Sequence, residues 1–304
     1  MDLHSLKSFD PSLHVERQGG FENCGFDLRS PLPQTLTYAG NAAFLIACAQ
    51  RPEVSAILTT RAAFEESAKT AELSRRDLGL AFSPRPRVDF FLFHNYLAHR
   101  TDFYQRRQAC GRGQGCRISP SASLAESNVL IGDRVVIGEG VYIGASVSIG
   151  DDTIIWPGTV IGNDGFQFER LDSRVIKIAH VGGVSIGREV EIKSNCCIDR
   201  HIFRDDTRIG DQTKFDNLVY VGHCTKIGRA CLLGAHAAIT GSVVIGDEVW
   251  VGPNATISSA LTVGSQAAVS LGSVVTRDVP PGERVSGNFA ITHNRFLSFI
   301  RSIR

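Results

Sequence analysis

The sequence has no long apolar run and no excess of charge of either sign. Lys and Arg number 32 against 31 Asp and Glu, so the 304 residues carry a formal net charge of +1. A balance this close to zero implies no general attraction to nucleic acid or to an anionic membrane. No apolar stretch reaches the roughly 20 residues of a transmembrane helix, and the N-terminus lacks a signal-peptide pattern. The composition favours a cytoplasmic protein without membrane insertion and without a nucleic-acid partner.

Short cysteine spacings are also missing. None of the eight cysteines forms a Cys-x-x-Cys pair. Metal sites and redox dithiols commonly use that spacing, so the cysteines are interpreted as reduced, small apolar residues. We expect no bound metal and no permanently bound cofactor.

The sequence is rich in a six-residue repeat of apolar side chains. The repeat starts at Ile131, pauses after Ile161 and runs unbroken from Ile209 to Val275. A helix repeats near 3.6 residues and a strand near 2, so a strict period of six with small following residues indicates short parallel strands joined by tight corners. We predict a β-solenoid, with three hexads per triangular coil and residues 18 apart stacked at about 4.8 Å.

The first region, 1–108, lacks the six-residue repeat. It combines strand-like apolar runs at 54–58 and 88–93 with a helix-like stretch at 62–74. This mixture predicts a small α/β domain.

The repeat itself defines the second region, 109–282, as the solenoid. The remaining residues, 283–304, place Phe296, Leu297 and Ile300 at helical spacing with Arg between them. This pattern predicts a short terminal helix that covers the open end of the stack.

The repeat is interrupted twice. The stretch 162–170, between Ile161 and Ile186, is polar and aromatic, which predicts a loop projecting from the prism. Ile209 follows Ile198 by eleven positions, where two hexads would need twelve. Either interruption is a tolerated length change or part of a functional site.

His223 is the strongest catalytic candidate. It stands two positions after the inward Val221, so its imidazole is expected outside the prism, and Gly241, 18 residues later, is expected beside it one coil along. A histidine with a pKa near 6.5 can take the proton of an attacking amine, and a glycine N–H can stabilise an oxyanion. An ordinary solvated surface histidine is the alternative interpretation.

Several stretches resemble the N-acyltransferases of lipid A biosynthesis, the LpxD type. The similar residues in the solenoid are 160–166, 198–200, 215–217 and 222–223, and in the first domain 36–44. The family transfers an acyl group to the 2-amine of a UDP-linked 3-O-acylglucosamine. It has a left-handed parallel β-helix and is a homotrimer with active clefts between subunits; the repeat by itself does not fix the handedness.

The resemblance implies that His223 is the general base and the Gly241 N–H the oxyanion donor. It implies that Tyr38, Asn41 and Phe44 hold the nucleotide base, with ordinary core packing as the alternative for the two rings. The similar motifs contribute further substrate-binding candidates, namely Asp164, Phe166, Phe168, Asp199, Arg200, Asp216 and Asn217.

Two departures from the family concern the donor side. Where the family has a second histidine in an Asn-Gly-His run, this chain has Ser258, Ser259 and Ala260, and 249–255 and 272–282 resemble acetyl-CoA-dependent sugar acetyltransferases. We therefore predict an N-acyltransferase that uses acetyl-CoA or another short acyl-CoA as co-substrate. Its acceptor would be a nucleotide-linked amino sugar for a bacterial surface polysaccharide. The alternative is the lipid A enzyme itself, with a 3-hydroxyacyl carrier protein as donor.

Two other classes remain open. A zinc enzyme resembling the γ-type carbonic anhydrases would draw ligands from four candidates, His180, His201, His223 and His236, although no pair has the His-x4-His spacing of that family. A non-catalytic scaffold is the other possibility.

Overall fold

The structure is a computed structural model that describes residues 1–11, 13–26, 32–105, 109–287 and 290–303. The predicted boundary at residue 108 and the last residue of the predicted terminal helix therefore lie outside the described residues. The domain boundaries stay predictions.

The N-terminal region is a five-stranded sheet with helices packed against it. Its strands are β1 (His14–Arg17), β2 (Asn23–Cys24), β3 (Thr35–Ala39), β4 (Val54–Thr59) and β5 (Gly79–Phe82), in the spatial order β1-β5-β4-β3-β2. All neighbours pair in parallel except β1 and β5. The helices are α1 (Ser5–Phe9), α2 (Ala42–Ala49), α3 (Arg61–Ser67), a 3-10 turn at Ala71–Ser74, and α4 (Pro86–Arg100).

The prediction of a strand at 88–93 is wrong, because these residues lie inside α4. The run looks like a buried strand because Phe90, Phe91 and Phe93 are all buried. They pack both with the sheet and with Ile202 and Phe203 of the solenoid. A helix enclosed on several sides loses the one-sided apolar pattern that normally identifies it. The predictions at 54–58 and 62–74 agree with β4 and with α3 plus the 3-10 turn.

The solenoid has three walls of stacked parallel strands. The first wall contains Arg117–Ile118, Val136–Ile137, Ile154–Ile155, Glu191–Ile192, Lys214–Phe215, Leu232–Leu233, Trp250–Val251, Ala268–Val269 and Arg284–Val285. The second wall contains Ser123–Leu124, Tyr142–Ile143, Val160–Asn163, Cys197–Asp199, Tyr220–Val221, Ala238–Ile239, Thr256–Ile257 and Val274–Val275. The third wall contains Gly111–Arg112, Val129–Ile131, Val147–Ile149, Gly183–Ile186, Asp206–Ile209, Lys226–Ile227, Val244–Ile245 and Thr262–Val263.

The register of the walls confirms the predicted coil of 18 residues. Ile137 pairs with Ile155 in the first wall and Val221 with Ile239 in the second. Their side chains fill the prism as one buried apolar core. The corners contain residues with positive φ that are not glycine, such as Asp152 at 59°, so the turn geometry is imposed by the stacked strands.

The first interruption is a loop that carries a hairpin of Phe168–Leu171 and Arg174–Lys177. The second interruption replaces one hexad, so the comparison of its length with two hexads does not apply. Ile186 pairs with Ile209, 23 positions later, so one step contains five extra residues. The extra residues carry Ile202 and Phe203 into the N-terminal core, which gives the insertion a packing role.

The terminal helix is α5 (His293–Ser302), close to the predicted position. Its expected role as a cover for the stack is not seen. No described residue of α5 is buried, and Phe296 and Phe299 are about half exposed.

Candidate functional site

A cavity of about 470 Å³ lies between the N-terminal sheet and the solenoid. Three parts of the chain line it: Tyr38, Arg87 and Phe91 from the N-terminal region, Phe166 and Gln167 from the loop, and Tyr220, His223, Gly241 and Ser259 from the second wall and its corners. The cavity therefore joins the predicted catalytic pair to one of the predicted base-binding residues.

His223 lies directly against Gly241, as the 18-residue spacing predicts. A Cβ atom at Gly241 would be 2.6 Å from His223 Cε1, and one at Gly165 would be 3.0 Å from His223 Cδ2. Only glycine fits at either position without moving the ring. The imidazole is thus outside the prism but enclosed by the loop, with 8% of its surface exposed.

The Gly241 N–H is free of any protein acceptor among the described residues. At equivalent corners of the third wall, the residue one coil ahead caps this N–H: Asp247 Oδ1 accepts from the Arg229 N–H at 2.9 Å. The residue one coil ahead of Gly241 is Ser259, whose hydroxyl instead donates to Thr240 Oγ1 at 3.1 Å. A backbone donor is left available beside the imidazole.

Burial lowers the pKa of His223 from 6.5 to about 4, with smaller contributions from the nearby His180 and His201. The pKa of His223 therefore lies below the unperturbed histidine value near 6.5 on which its role was argued from the sequence. The loop and the N-terminal region remove water that would stabilise the imidazolium. The ring is neutral at physiological pH, which is the form a general base requires.

Ion pairs hold the loop that covers His223. Arg87 of α4 donates through Nη2 to Glu169 Oε1 at 2.7 Å, and Lys177 contacts Asp164 at 2.7 Å. Phe166 is 83% exposed and packs edge-on against Phe168, with ring centroids 4.9 Å apart. Phe166 thus lies at the cavity with most of its surface available to another molecule, whereas Asp164 is tied to the hairpin.

Asp199 and Arg200 have different environments. Asp199 is buried and accepts from the Tyr220 hydroxyl at 2.7 Å, and burial raises the pKa of its carboxyl. Arg200 donates to two backbone carbonyls, Gly182 O at 2.9 Å and Ala145 O at 3.1 Å. Arg200 therefore fastens the base of the loop, while Asp199 orients Tyr220 at the cavity wall.

Of the three predicted base-binding residues, only Tyr38 lines the cavity. Its ring packs on Phe90 with centroids 5.2 Å apart, and burial raises its pKa. Asn41 caps α2 by accepting from the Phe44 N–H at 2.8 Å, and the Phe44 ring meets Tyr38 edge-on at 6.5 Å. The nucleotide-binding role of this segment stays a prediction.

Asp216 and Asn217 are not brought to the cavity. They occupy a corner after the first wall, where Asn217 Oδ1 accepts from the Ser194 N–H at 3.1 Å and Asp216 accepts from the Asn217 N–H at 2.8 Å. Within one chain they stabilise the corner. Their predicted contact with substrate is not tested by a single chain.

Two residues that line the cavity, Arg87 and Tyr220, were not predicted from the sequence. Arg87 precedes the apolar run 88–93, which resembles a strand although it lies in α4. Tyr220 could have been found, since it precedes the inward Val221 and so points outward on the same wall that carries His223.

None of the helices in the described ranges has the length and apolar character needed to cross a bilayer. No cluster of three or more His, Cys, Asp or Glu side chains in this part of the chain is arranged to hold a metal ion. The zinc interpretation requires ligands from two subunits, so a single chain does not test it.

Two family models match the solenoid. One describes bacterial transferase hexapeptides in six repeats and matches residues 128–163, and the other describes the hexapeptide repeat of succinyl-transferases and matches 224–259 and 242–277. These matches confirm hexapeptide repeats in both halves of the solenoid.

Curated relatives confirm the predicted resemblance. A UDP-3-O-acylglucosamine N-acyltransferase 2 of Legionella pneumophila (strain Lens) is 46% identical over 151 residues, which are 50% of this chain and 44% of the relative. A UDP-3-O-acylglucosamine N-acyltransferase of Methylorubrum populi is 40% identical over 134 residues, 44% of this chain and 38% of the relative. The matched part thus spans less than half of these relatives.

Among solved structures, a UDP-N-acetylglucosamine acyltransferase from Campylobacter jejuni aligns with a TM-score of 0.52 at 21% identity. The alignment covers 64% of this chain and 79% of that one. Together with the stacked parallel walls, this likeness confirms the predicted left-handed parallel β-helix.

Proposed function

We propose that this protein transfers an acyl group from a thioester to the amine of a UDP-linked amino sugar. The observation that carries the proposal is the neutral imidazole of His223 packed against Gly241, whose N–H has no protein acceptor in the described chain. The similarity to UDP-3-O-acylglucosamine N-acyltransferases supports this acceptor class.

In the proposed reaction, the sugar amine attacks the thioester carbonyl while His223 Nε2 accepts an amine proton. The carbonyl electron pair moves to oxygen, where the Gly241 N–H stabilises the negative charge. The oxyanion then re-forms the carbonyl and the C–S bond breaks. The proton on His223 passes to the leaving thiolate, which yields an amide, a free thiol and the original neutral imidazole.

Tyr38 and Arg87 mark the side of the cavity that would receive the nucleotide. The Tyr38 ring offers an aromatic surface to a base, and Arg87, whose side chain is about half exposed, offers N–H groups to a phosphate. An acceptor bound there would extend past the loop toward His223.

For the acceptor, we favour UDP-3-O-acylglucosamine, as in the relatives' names. For the donor, we favour the 3-hydroxyacyl carrier protein that the resemblance to the lipid A enzymes implies. The short acyl-CoA donor expected from the sequence is the second candidate. It is supported by Ala260, which lines the cavity where the resembling family carries a second histidine.

The test is an assay of the purified protein with both donor and acceptor pairs. Mass spectrometry should detect an N-acylated UDP-sugar with 3-hydroxyacyl carrier protein and UDP-3-O-acylglucosamine. Turnover only with acetyl-CoA and another UDP-amino sugar would reverse the donor preference. No amide product with any pair, from a protein that binds UDP-sugar, would favour the scaffold interpretation.

A further inference from the structure

Two neighbouring histidines each carry a buried ring nitrogen without a hydrogen-bond partner among the described residues. The atoms are His180 Nε2 and His223 Nδ1. The two rings are adjacent, with centroids 5.6 Å apart and planes inclined by 67°. Unpaired buried polar atoms are rare in folded proteins, so two in adjacent rings that do not bond each other suggest that one buried water molecule bridges them.

The backbone fixes the tautomer of His180. Its Nδ1 lies 3.0 Å from the carbonyl oxygen of Ile178, and a carbonyl can only accept, so Nδ1 carries the proton. Burial lowers the pKa of His180, so the ring is neutral and Nε2 is an acceptor. A bridging water molecule would therefore donate one proton to His180 Nε2 and turn its oxygen lone pairs toward other donors nearby.

The position of His180 is itself fixed by α4. Asn95 makes two hydrogen bonds to the segment that precedes His180. Its Nδ2 donates to Lys177 O and its Oδ1 accepts from the Ala179 N–H, both at 2.9 Å. His94 Nε2 lies 2.9 Å from Ala179 O. A ring held this firmly can select one arrangement of its neighbour.

The other groups that face the two rings are engaged elsewhere. Asp164 pairs with Lys177, and Arg200 donates to backbone carbonyls. His201 Nδ1 accepts from the Phe203 N–H at 3.0 Å.

We propose that His180 is a positioning residue for His223. A buried water molecule donates to His180 Nε2 and accepts from the Nδ1–H of His223, and this holds the proton on Nδ1. The Nε2 lone pair of His223 is then the one presented to the cavity, where it can accept the amine proton. A neutral partner orients the base as the carboxylate of a Ser-His-Asp triad does, without adding a charge.

The role of this pair in catalysis depends on the proposed acyl transfer, but the tautomer does not. NMR of the substrate-free protein labelled with [¹⁵N]histidine should show His223 with protonated Nδ1 and unprotonated Nε2, with the signals assigned by loss in His223→Gln. In His180→Leu the Nδ1–H signal should weaken in favour of the other tautomer. His180→Gln, whose amide can still accept, should retain the wild-type tautomer.

Kinetics adds a second readout. His180→Leu should lower kcat by roughly 10 to 100 fold with little change in KM, and His180→Gln should recover most of the loss. The inference is overturned if wild-type His223 carries its proton on Nε2, or if His180→Leu, shown to be folded by circular dichroism, leaves the tautomer unchanged. If the wild type and the His180 variants show the expected tautomers but the protein has no acyltransferase activity, only the proposed function is refuted.

Discussion

The corners of the second and third walls have the same backbone design but different side chains. In the third wall the corner position holds Asp133, Asp151 and Asp247, and Asp151 and Asp247 each cap the N–H of the preceding coil. In the second wall the same position holds His223 and then Gly241, and the Gly241 N–H stays uncapped. The third-wall corners use backbone N–H groups in hydrogen bonds that stabilise the fold. The second-wall corner leaves the Gly241 N–H available to a ligand.

This difference also explains why the insertions lie where they do. Both interruptions leave the second wall, after Ile161 and after Ile198, and the first folds over the corner that carries His223. The loop supplies Gly165 against the imidazole, and the shorter insertion supplies Phe203 to the N-terminal core. The third-wall corners after Ile227 and Ile245 have only hexad-length connections and stay exposed to solvent.

The largest effect is expected from removing the imidazole. His223→Ala should lower kcat by about two to four orders of magnitude, because the amine would lose its proton acceptor. The matched control is His236→Ala, since His236 is exposed at a corner after the first wall. Steady-state kinetics with the productive donor would measure both. Equal losses in the two variants would favour the zinc interpretation, whereas near-wild-type kcat in His223→Ala would remove the proposed base.

A second variant would make the second wall resemble the third. Ser259→Asp places a carboxylate one coil ahead of Gly241, where Asp247 caps Arg229 in the third wall. If the carboxylate occupies the Gly241 N–H, kcat should fall by roughly 10² to 10³ fold, as for loss of an oxyanion donor. Ser259→Ala, which adds no cap, is the control. Unchanged kcat in Ser259→Asp, with a crystal structure showing the new cap, would rule out Gly241 as the donor.

The solenoid was predictable because its fold repeats a local rule. Each hexad indicates one short strand by its apolar residue and one corner by the small residue that follows. The 18-residue register therefore follows from the sequence. The N-terminal helix α4 was not predictable, because Phe90, Phe91 and Phe93 satisfy packing on several sides. The step between Ile198 and Ile209 was misjudged for a related reason: counting residues cannot separate a missing position from an insertion that packs on another domain.

For the site, the spacing placed His223 beside Gly241 correctly. It could not give the pKa of His223, which depends on burial by the loop and by the N-terminal region. It also could not reveal Arg87, whose position at the cavity depends on the docking of α4 against the hairpin through Glu169. Contacts between distant segments have no periodic signal in the sequence.

A smaller effect, on stability alone, is expected at a third-wall corner. Asp247→Ala removes the cap on the Arg229 N–H and should lower the free energy of unfolding by about 0.5 to 1.5 kcal/mol. The kcat should not change, because this corner does not line the cavity. Asp247→Asn keeps an acceptor oxygen and should lose less. Urea denaturation and activity assays would check both, and a loss of activity at unchanged stability would contradict the division between the two walls.

The smallest effect concerns pH. Burial lowers the pKa of His223 to about 4, so the neutral base persists as the pH falls from 7.5 to 5.5, and kcat/KM corrected for protonation of the substrate amine should change less than about twofold. A histidine with an ordinary pKa near 6.5 would lose roughly tenfold over this range. The free energy of unfolding, unlike kcat/KM, should depend on pH in this range. Because the folded pKa lies below the unfolded one, the stabilisation is complete above about pH 6.5 and is lost as the pH falls toward 4. Unfolding measured at pH 7 and 5 should therefore show a smaller pH dependence in His223→Ala than in the wild type. A tenfold acid loss of kcat/KM with a midpoint near 6.5 that remains after this correction would show that the second-wall corner is as open to water as the third.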